Sequence, residues 1–209
     1  MASPQAQLEK ALAALNNGDP AKAARLARKL TKIVPHAPDG WQLRAMAAQQ
    51  LGEHADAATY LKRVLQIRPD DAAAFNNLGN AYREQAELEK AKDAYARSLV
   101  QRPDHVATIM NFGNVCHELE QFGEAIAAFR RALALAPEDY GALLNLGSAQ
   151  LKAADLAGAL VTYRRLAELG HDNPDVWTGI YHAAVGTHDL IQGEAAVERL
   201  LAVAGDDPK

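Results

Sequence analysis

Residues 72–105 read AAAFNNLGNAYREQAELEKAKDAYARSLVQRPDH, and this stretch decides the fold. Its first part carries Phe75, Leu78 and Tyr82 at steps of three and four residues, the spacing that aligns side chains on one face of an α-helix. A second apolar pattern follows and stops at Pro103, because proline does not continue a helix. We therefore expect two helices joined by a turn, that is, a helical hairpin.

The hairpin pattern recurs along the chain every 34 residues. Prolines mark the period at Pro35, Pro69, Pro103 and Pro137. Large side chains stand at the fourth place of the repeats, namely Trp41, Phe75, Ile109, Leu143 and Trp177. Alanines stand at the twentieth place, namely Ala23, Ala57, Ala91, Ala125 and Ala159. Large and small side chains at constant places are what interdigitating helices require.

The period divides the chain into repeats one to six: 4–37, 38–71, 72–105, 106–139, 140–173 and a degenerate, capping repeat at 174–207. A single hairpin cannot bury its apolar face alone, so the hairpins must stack on one another. The sequence predicts an all-α fold, an α-solenoid of about six stacked hairpins. We expect residues 1–209 to form one such domain.

Repeat three resembles the consensus of the tetratricopeptide repeat (TPR) family. The matching residues are Phe75, Leu78, Gly79, Tyr82, Ala91, Tyr95 and Pro103. The resemblance implies a right-handed superhelix of helix-turn-helix units, in which the first helix of each unit lines a concave groove. For function it implies a binding module for other proteins, without naming a partner.

Asparagines recur on the first helices at two places of the repeat. The sixth place holds Asn77, Asn111 and Asn145, and the ninth place holds Asn80, Asn114 and Ser148. An asparagine amide offers donors and an acceptor, so it can pair with one peptide unit of an extended ligand. This asparagine ladder is similar to that in the repeat domain of O-linked N-acetylglucosamine transferases, which favours peptide binding. The alternative is a structural ladder whose amides bond to one another or to helix carbonyls.

Charged and polar side chains flank the asparagine ladder. They occupy the twelfth and thirteenth places and comprise Arg83, Glu84, His117, Glu118 and Lys152. We include them in the predicted peptide-binding groove, where they would select charged ligand side chains. The alternative is that they form an ordinary solvated helix face.

Two further surfaces have alternative interpretations. Apolar residues fall on groove-type places of the first two repeats, namely Leu8, Leu12, Leu15, Leu43 and Met46. They form an apolar groove end, or a rotated first helix buries them. Cations recur at the twenty-fifth and twenty-sixth places of the second helices, namely Arg28, Lys29, Lys62, Arg63, Arg97, Arg130, Arg131, Arg164 and Arg165. They attract anions, or they complement the helix dipole beside acidic neighbours.

Composition argues against several classes of function. The net charge of −4 and the isoelectric point near 6.0 do not favour nucleic acid as a partner. Cys116 is the only cysteine, which excludes an intramolecular disulfide and a cysteine-based zinc cage. The sequence contains no secretory signal and no apolar run of the ~20 residues that a membrane span needs. We expect a cytoplasmic protein.

Catalytic motifs are absent from the sequence. It contains no dinucleotide-binding glycine pattern, no phosphate loop and no His-Glu-x-x-His. Adjacent positions in a helix place Cys116 and His117 on different sides, so they do not make a nucleophile and base pair. We expect no enzyme, no cofactor and no bound metal.

The sequence thus favours a scaffold that binds an extended peptide or partner segment in its groove. One alternative is the recognition arm of a larger glycosyl- or sulfotransferase. Another is a structural scaffold that self-associates through its terminal repeats.

Overall fold

Twelve α-helices and no strand make up residues 3–205, the part of the chain that the computed structural model describes. The helices of repeats one to three are α1 (Pro4–Asn16), α2 (Pro20–Ile33), α3 (Pro38–Gln50), α4 (His54–Ile67), α5 (Ala72–Arg83) and α6 (Leu88–Gln101). Those of repeats four to six are α7 (Val106–Glu118), α8 (Phe122–Leu135), α9 (Tyr140–Lys152), α10 (Leu156–Glu168), α11 (Pro174–Gly186) and α12 (Leu190–Gly205). The predicted all-α class is confirmed. Residues 206 and 207, which the sequence assigns to repeat six, lie outside the described residues.

The odd-numbered helices begin at residues 4, 38, 72, 106, 140 and 174, the first residues of the six repeats. Short polar side chains fix several of these starts. Asp71, Asp139 and Asn173 each accept a hydrogen bond from the backbone N–H three residues later, at 2.9, 2.7 and 3.2 Å. Such a cap satisfies one of the donors that the first turn of a helix leaves unpaired.

The turn inside each hairpin contains a residue in the left-handed backbone region. The φ angles are 73° at Gly18, 75° at Gly52, 56° at Ala86, 60° at Glu120, 60° at Ala154 and 59° at His188. These positions are also spaced by 34 residues, so every hairpin closes in the same way. Glycine adopts this conformation without strain, whereas an L-residue pays about 1–2 kcal/mol for it.

Close contact between small and aromatic residues holds the helices of a hairpin together. A Cβ on Gly79 would lie 2.5 Å from Cε1 of Tyr95, and a Cβ on Gly147 would lie 2.7 Å from Cε2 of Tyr163. Tyr95 is fully buried and Tyr163 nearly so. The glycines are therefore required for the approach of the second helix to the first.

Contacts divide the chain within α7 into an N-terminal unit ending at Thr108 and a C-terminal unit starting at Ile109. Within the N-terminal unit, α2 packs on α3 and α4 on α5, while α1 also contacts α3. Within the C-terminal unit, α8 packs on α9 and α10 on α11, while α9 also contacts α11. The first helices α1 and α3, and likewise α9 and α11, thus lie side by side.

The apolar residues of the first two repeats mostly belong to the core. Leu15 and Leu43 are buried, and Leu8 and Met46 pack against the same cluster. Leu12 alone of this set has an exposed side chain. The first helices are therefore turned so that they bury these side chains, which is the second of the two interpretations that the sequence allowed. Cys116 is fully buried, as its place in the repeat predicts.

Candidate functional site

The N-terminal unit carries the first part of the asparagine ladder on α5. Asn77 and Asn80 are both half-buried. The Asn80 Oδ1 accepts a hydrogen bond from the Tyr95 hydroxyl at 2.7 Å. The backbone carbonyl of Asn77 accepts one from Gln49 Nε2, on the neighbouring first helix, at 3.3 Å. Both positions are therefore tied to the surrounding helices before any ligand binds.

The C-terminal unit carries the rest of the ladder on α7 and α9. Asn145 Nδ2 donates to Asn114 Oδ1 at 2.8 Å. Ser148 Oγ lies 3.3 Å from His117 Nε2. Both bonds join residues 31 positions apart, so each links one first helix to the next. Asn111 is also half-buried on α7.

The bond between Asn114 and Asn145 leaves part of each amide available. An asparagine has two N–H donors and one carbonyl oxygen. The shared bond uses one donor of Asn145 and one lone pair of Asn114. The Asn114 N–H groups and the Asn145 Oδ1 can therefore still bind a ligand, and their positions are fixed by the bond between the two side chains.

His117 is a titratable residue of this site, and its surroundings shift its pKa. Burial lowers the pKa of its imidazole below 6.5, the positive charge of Lys152 lowers it further, and Glu118 opposes them. The ring packs edge-on against Phe122, with the ring centroids 5.4 Å apart. His117 is therefore neutral at pH 7, with Nε2 bonded to Ser148.

The other charged residues of the predicted groove lie at the ends of the first helices. Arg83 is the last residue of α5 and Glu84 its C-cap. Glu118 and Lys152 are the exposed last residues of α7 and α9, and the charges of both act on His117. The structure thus brings together His117, Ser148, Glu118 and Lys152 in the C-terminal unit.

A cavity of about 530 Å³ lies on the side of α5 opposite Asn77 and Asn80, and the sequence pattern did not predict it. Helical periodicity directs Phe75, Leu78 and Tyr82 away from Asn77 and Asn80, and these three apolar residues form the cavity floor. The sequence signal was the recurring pair of cations on the second helices, of which Lys62 and Arg97 line this cavity.

Residues 3–205 contain neither a group of side chains suited to a metal ion nor a helix suited to a membrane span. In that range no three His, Cys, Asp or Glu side chains are grouped so that they would hold a metal ion. No helix of the described chain has the length and apolar character needed to cross a membrane.

Four family models match the sequence. Those described as tetratricopeptide repeat match residues 70–138, 117–180 and 2–41. One described as TPR repeat matches residues 49–85. No curated protein matches the chain.

Solved structures share this fold at low sequence identity. The type IV pilus biogenesis factor PilW has a TM-score of 0.73 and 20% identity, covering 98% of this chain and 94% of its own. YrrB, described as a TPR protein with an unusual peptide-binding site, has a TM-score of 0.78 and 18% identity, covering 88% and 95%. MamA from Desulfovibrio magneticus RS-1 has a TM-score of 0.75 and 20% identity, covering 80% and 94%.

Proposed function

Because the chain belongs to the tetratricopeptide repeat family, we propose that this protein-interaction scaffold binds an extended partner segment on the asparagine ladder of its first helices. The observation that carries the proposal is the hydrogen bond between Asn114 and Asn145. It holds two amides in fixed positions on neighbouring helices, and a preorganised site loses less entropy when a ligand binds.

The chemistry of the ladder suits the backbone of the ligand. The Asn114 N–H groups would donate to a ligand carbonyl, and the Asn145 Oδ1 would accept from a ligand N–H. Contacts of this kind are tolerant of ligand sequence. The similarity to the ladder of O-linked N-acetylglucosamine transferases supports the same mode of binding.

Selectivity would come from the groups around His117. Lys152 offers a positive charge and Glu118 a negative one, while the neutral His117 shares a hydrogen bond with Ser148. Within the N-terminal unit, Asn77, Asn80, Arg83 and Glu84 would supply a similar combination of amides and charges. We take the scaffold to act by positioning its partner, without catalysis and in the cytoplasm, as the sequence predicts.

Binding by the ladder is tested with the double variant Asn114→Ala/Asn145→Ala. Partners captured from native lysate by the wild-type chain are identified, and their binding segments are synthesised and titrated against both proteins. We expect the variant to bind about tenfold more weakly or worse, since each lost hydrogen bond is worth ~1 kcal/mol.

The matched control is Asn16→Ala/Asn17→Ala, which removes two exposed amides at the end of α1. It should keep the wild-type affinity. Equal affinity of the ladder variant and the wild type, at equal helicity, would show that the ladder is purely structural.

A second candidate function is self-association, which is supported by exposed apolar side chains on the last hairpin. Tyr181, Val185, Leu190 and Val197 have exposed side chains on α11 and α12. They line an apolar depression of about 390 Å³. Exposed apolar surface of this kind is typical of interaction sites, and sedimentation at increasing protein concentration would detect the association.

A further inference from the structure

The cavity of the N-terminal unit opens between the second helices α4 and α6 and is closed below by α5. Its volume of about 530 Å³ is in the range of small ligand-binding sites. The floor residues Phe75, Leu78 and Tyr82 are each less than a tenth exposed. Leu65 and Ala94 continue the apolar lining on the walls. The cavity therefore has an apolar interior that reaches the surface.

Cations surround this apolar floor. The Lys62 ammonium lies 5.3 Å from the centroid of the Tyr82 ring, and the Arg97 guanidinium lies 5.8 Å from that of Phe75. Neither makes an ion pair with any residue in the described part of the chain. The ammonium of Lys90 also lies over Tyr82, but it pairs with Glu87, which raises the Lys90 pKa. Lys62 and Arg97 thus face the cavity without a salt-bridge partner, and Asp93 is the one acidic side chain in the lining.

The space that corresponds to this cavity at the junction of repeats one and two is filled by side chains of the chain. Trp41, Arg44 and Tyr60 occupy the repeat positions of Phe75, Leu78 and Ala94. The Arg44 guanidinium lies 3.9 Å from the Tyr60 ring centroid and 5.1 Å from that of Trp41. It also donates to the Tyr60 hydroxyl at 2.6 Å. This stack takes the space that is open between α4 and α6.

In repeats four and five the corresponding cations are neutralised. Arg130 and Arg165 occupy the positions of Lys62 and Arg97. Arg130 approaches Asp155 at 3.9 Å, and Arg165 approaches Glu138 at 3.4 Å.

The position of Tyr82 is held in repeat five by Gln150, which is buried. Gln150 accepts a hydrogen bond from the Thr162 hydroxyl at 2.7 Å and donates one to Asp155 at 3.1 Å. A polar network within the protein therefore replaces the apolar floor.

In repeats five and six a cation is again compensated. Arg199 corresponds to Arg97 and lies over Trp177, with its guanidinium carbon 5.5 Å from the ring centroid. It pairs with Asp172 at 3.0 Å. At three junctions the protein therefore supplies a filling side chain or an acidic partner for a cation. At the junction around α5 the space is open, and neither Lys62 nor Arg97 forms a salt bridge with Asp93 or with another described residue.

We propose that the cavity between α4 and α6 is a second binding site, which accepts an apolar anchor side chain of a partner peptide flanked by carboxylates. The anchor would lie on Phe75, Leu78 and Tyr82, and the carboxylates would pair with Lys62 and Arg97. These are the two components that the other junctions provide from their own residues. The site lies on the side of α5 opposite Asn77 and Asn80 and does not use the asparagine ladder.

The test is a titration of the ¹⁵N-labelled chain with the acetylated and amidated peptide Glu-Glu-Phe-Glu-Glu. We expect saturable shifts of backbone amides in α4, α5 and α6. Gln-Gln-Phe-Gln-Gln and Glu-Glu-Ala-Glu-Glu should each bind roughly five- to tenfold more weakly, because one lacks the carboxylates and the other the anchor.

Variants separate this site from the others. Lys62→Gln/Arg97→Gln should lower the affinity for the acidic peptide roughly five- to tenfold. Ala94→Leu should also lower this affinity, because the larger side chain fills the cavity. The matched control Arg130→Gln/Arg165→Gln makes the same change at the neutralised junction and should leave the affinity unchanged. Asn114→Ala/Asn145→Ala should also leave it unchanged.

Several outcomes would overturn the proposal. The first is the absence of saturable shifts at ~1 mM peptide. The second is equal affinity for the peptide in which alanine replaces phenylalanine. The third is an equal loss of peptide affinity in Lys62→Gln/Arg97→Gln and in its control Arg130→Gln/Arg165→Gln. A sedimentation mass that falls in Lys62→Gln/Arg97→Gln would assign the cavity to a second copy of the chain instead. Binding of dodecanoate without binding of the peptide would assign it to a small anionic amphiphile.

Discussion

Repeats one and two differ from repeats three to five in where they place glycine. The first two have Gly18 and Gly52 in the left-handed turn, and alanine at the eighth place of the first helix. The later three have Ala86, Glu120 and Ala154 in that turn, and glycine at the eighth place. The same backbone is therefore built with opposite placements of the smallest residue.

The residue at the twenty-fourth place explains why the eighth place holds glycine in some repeats and alanine in others. Repeats three and five have Tyr95 and Tyr163 there, and these rings lie directly on Gly79 and Gly147. Repeats one and two have Ala27 and Leu61 at the same place. A smaller partner leaves room for a methyl group, so alanine is sufficient at the eighth place. Glycine is thus used where a neighbouring ring requires it, although it lowers helix propensity.

The largest expected effect comes from Gly79→Ala. An added Cβ would lie 2.5 Å from the Tyr95 ring, and such overpacking costs about 1–3 kcal/mol of the free energy of unfolding. The loss should be visible in urea unfolding followed by circular dichroism. Gly123→Ala is the control, because a Cβ at Gly123 meets nothing within 4 Å, so helix propensity should make it neutral or stabilising.

A double-mutant cycle sharpens this result. Gly79→Ala/Tyr95→Leu installs the pair that repeat two has in Ala45 and Leu61. Its loss should be smaller than the sum of the two single losses by about 1 kcal/mol. Additive losses would mean that the clash does not determine the residue at the eighth place.

Substitutions in the hairpin turns should change the free energy of unfolding by a smaller amount. The change should be a decrease in repeats one and two, where glycine is replaced, and an increase in repeats three to five, where glycine is introduced. Gly52→Ala should lower the free energy of unfolding by about 1 kcal/mol, because it forces an L-residue into the left-handed region. Ala154→Gly should raise it by about 0.5–1 kcal/mol by relieving that strain. Thermal unfolding measures both variants. A Gly52→Ala variant as stable as the wild type would show that the turn is not strained.

The smallest effect concerns the twelfth place, which is Gln49 in repeat two and His117 in repeat four. The pKa of His117 is lowered in the folded chain, so the unfolded chain binds protons at higher pH. The free energy of unfolding should therefore fall as the pH drops below about 6.5. His117→Gln should remove part of this dependence between pH 7 and pH 5, as measured by urea unfolding. An identical pH profile in the variant would show that His117 is not among the groups responsible.

Part of the candidate site could be foreseen from the sequence. Asn114, Asn145, His117 and Ser148 were identified by their places in the repeat, and the structure brings them together on α7 and α9. Bonds between the amides were one of the two alternatives that the sequence allowed. Which side chains pair could not be foreseen, because this depends on the rotation and spacing of two helices whose bonded residues are 31 positions apart in the chain. The sequence left the burial of Leu43 open between two alternatives for the same reason, since a small rotation of α3 decides which face is covered.

The sequence by itself determined the period, the all-α class and the first residue of each hairpin, because these follow from contacts between residues close in the chain. Only the tertiary structure decided how each junction between second helices is completed. Whether Arg44 fills the space, Asp155 neutralises Arg130, or a cavity remains beside Lys62 and Arg97 depends on side chains from three helices meeting at one point. Periodicity places each of them on a face, and packing alone decides which of them touch.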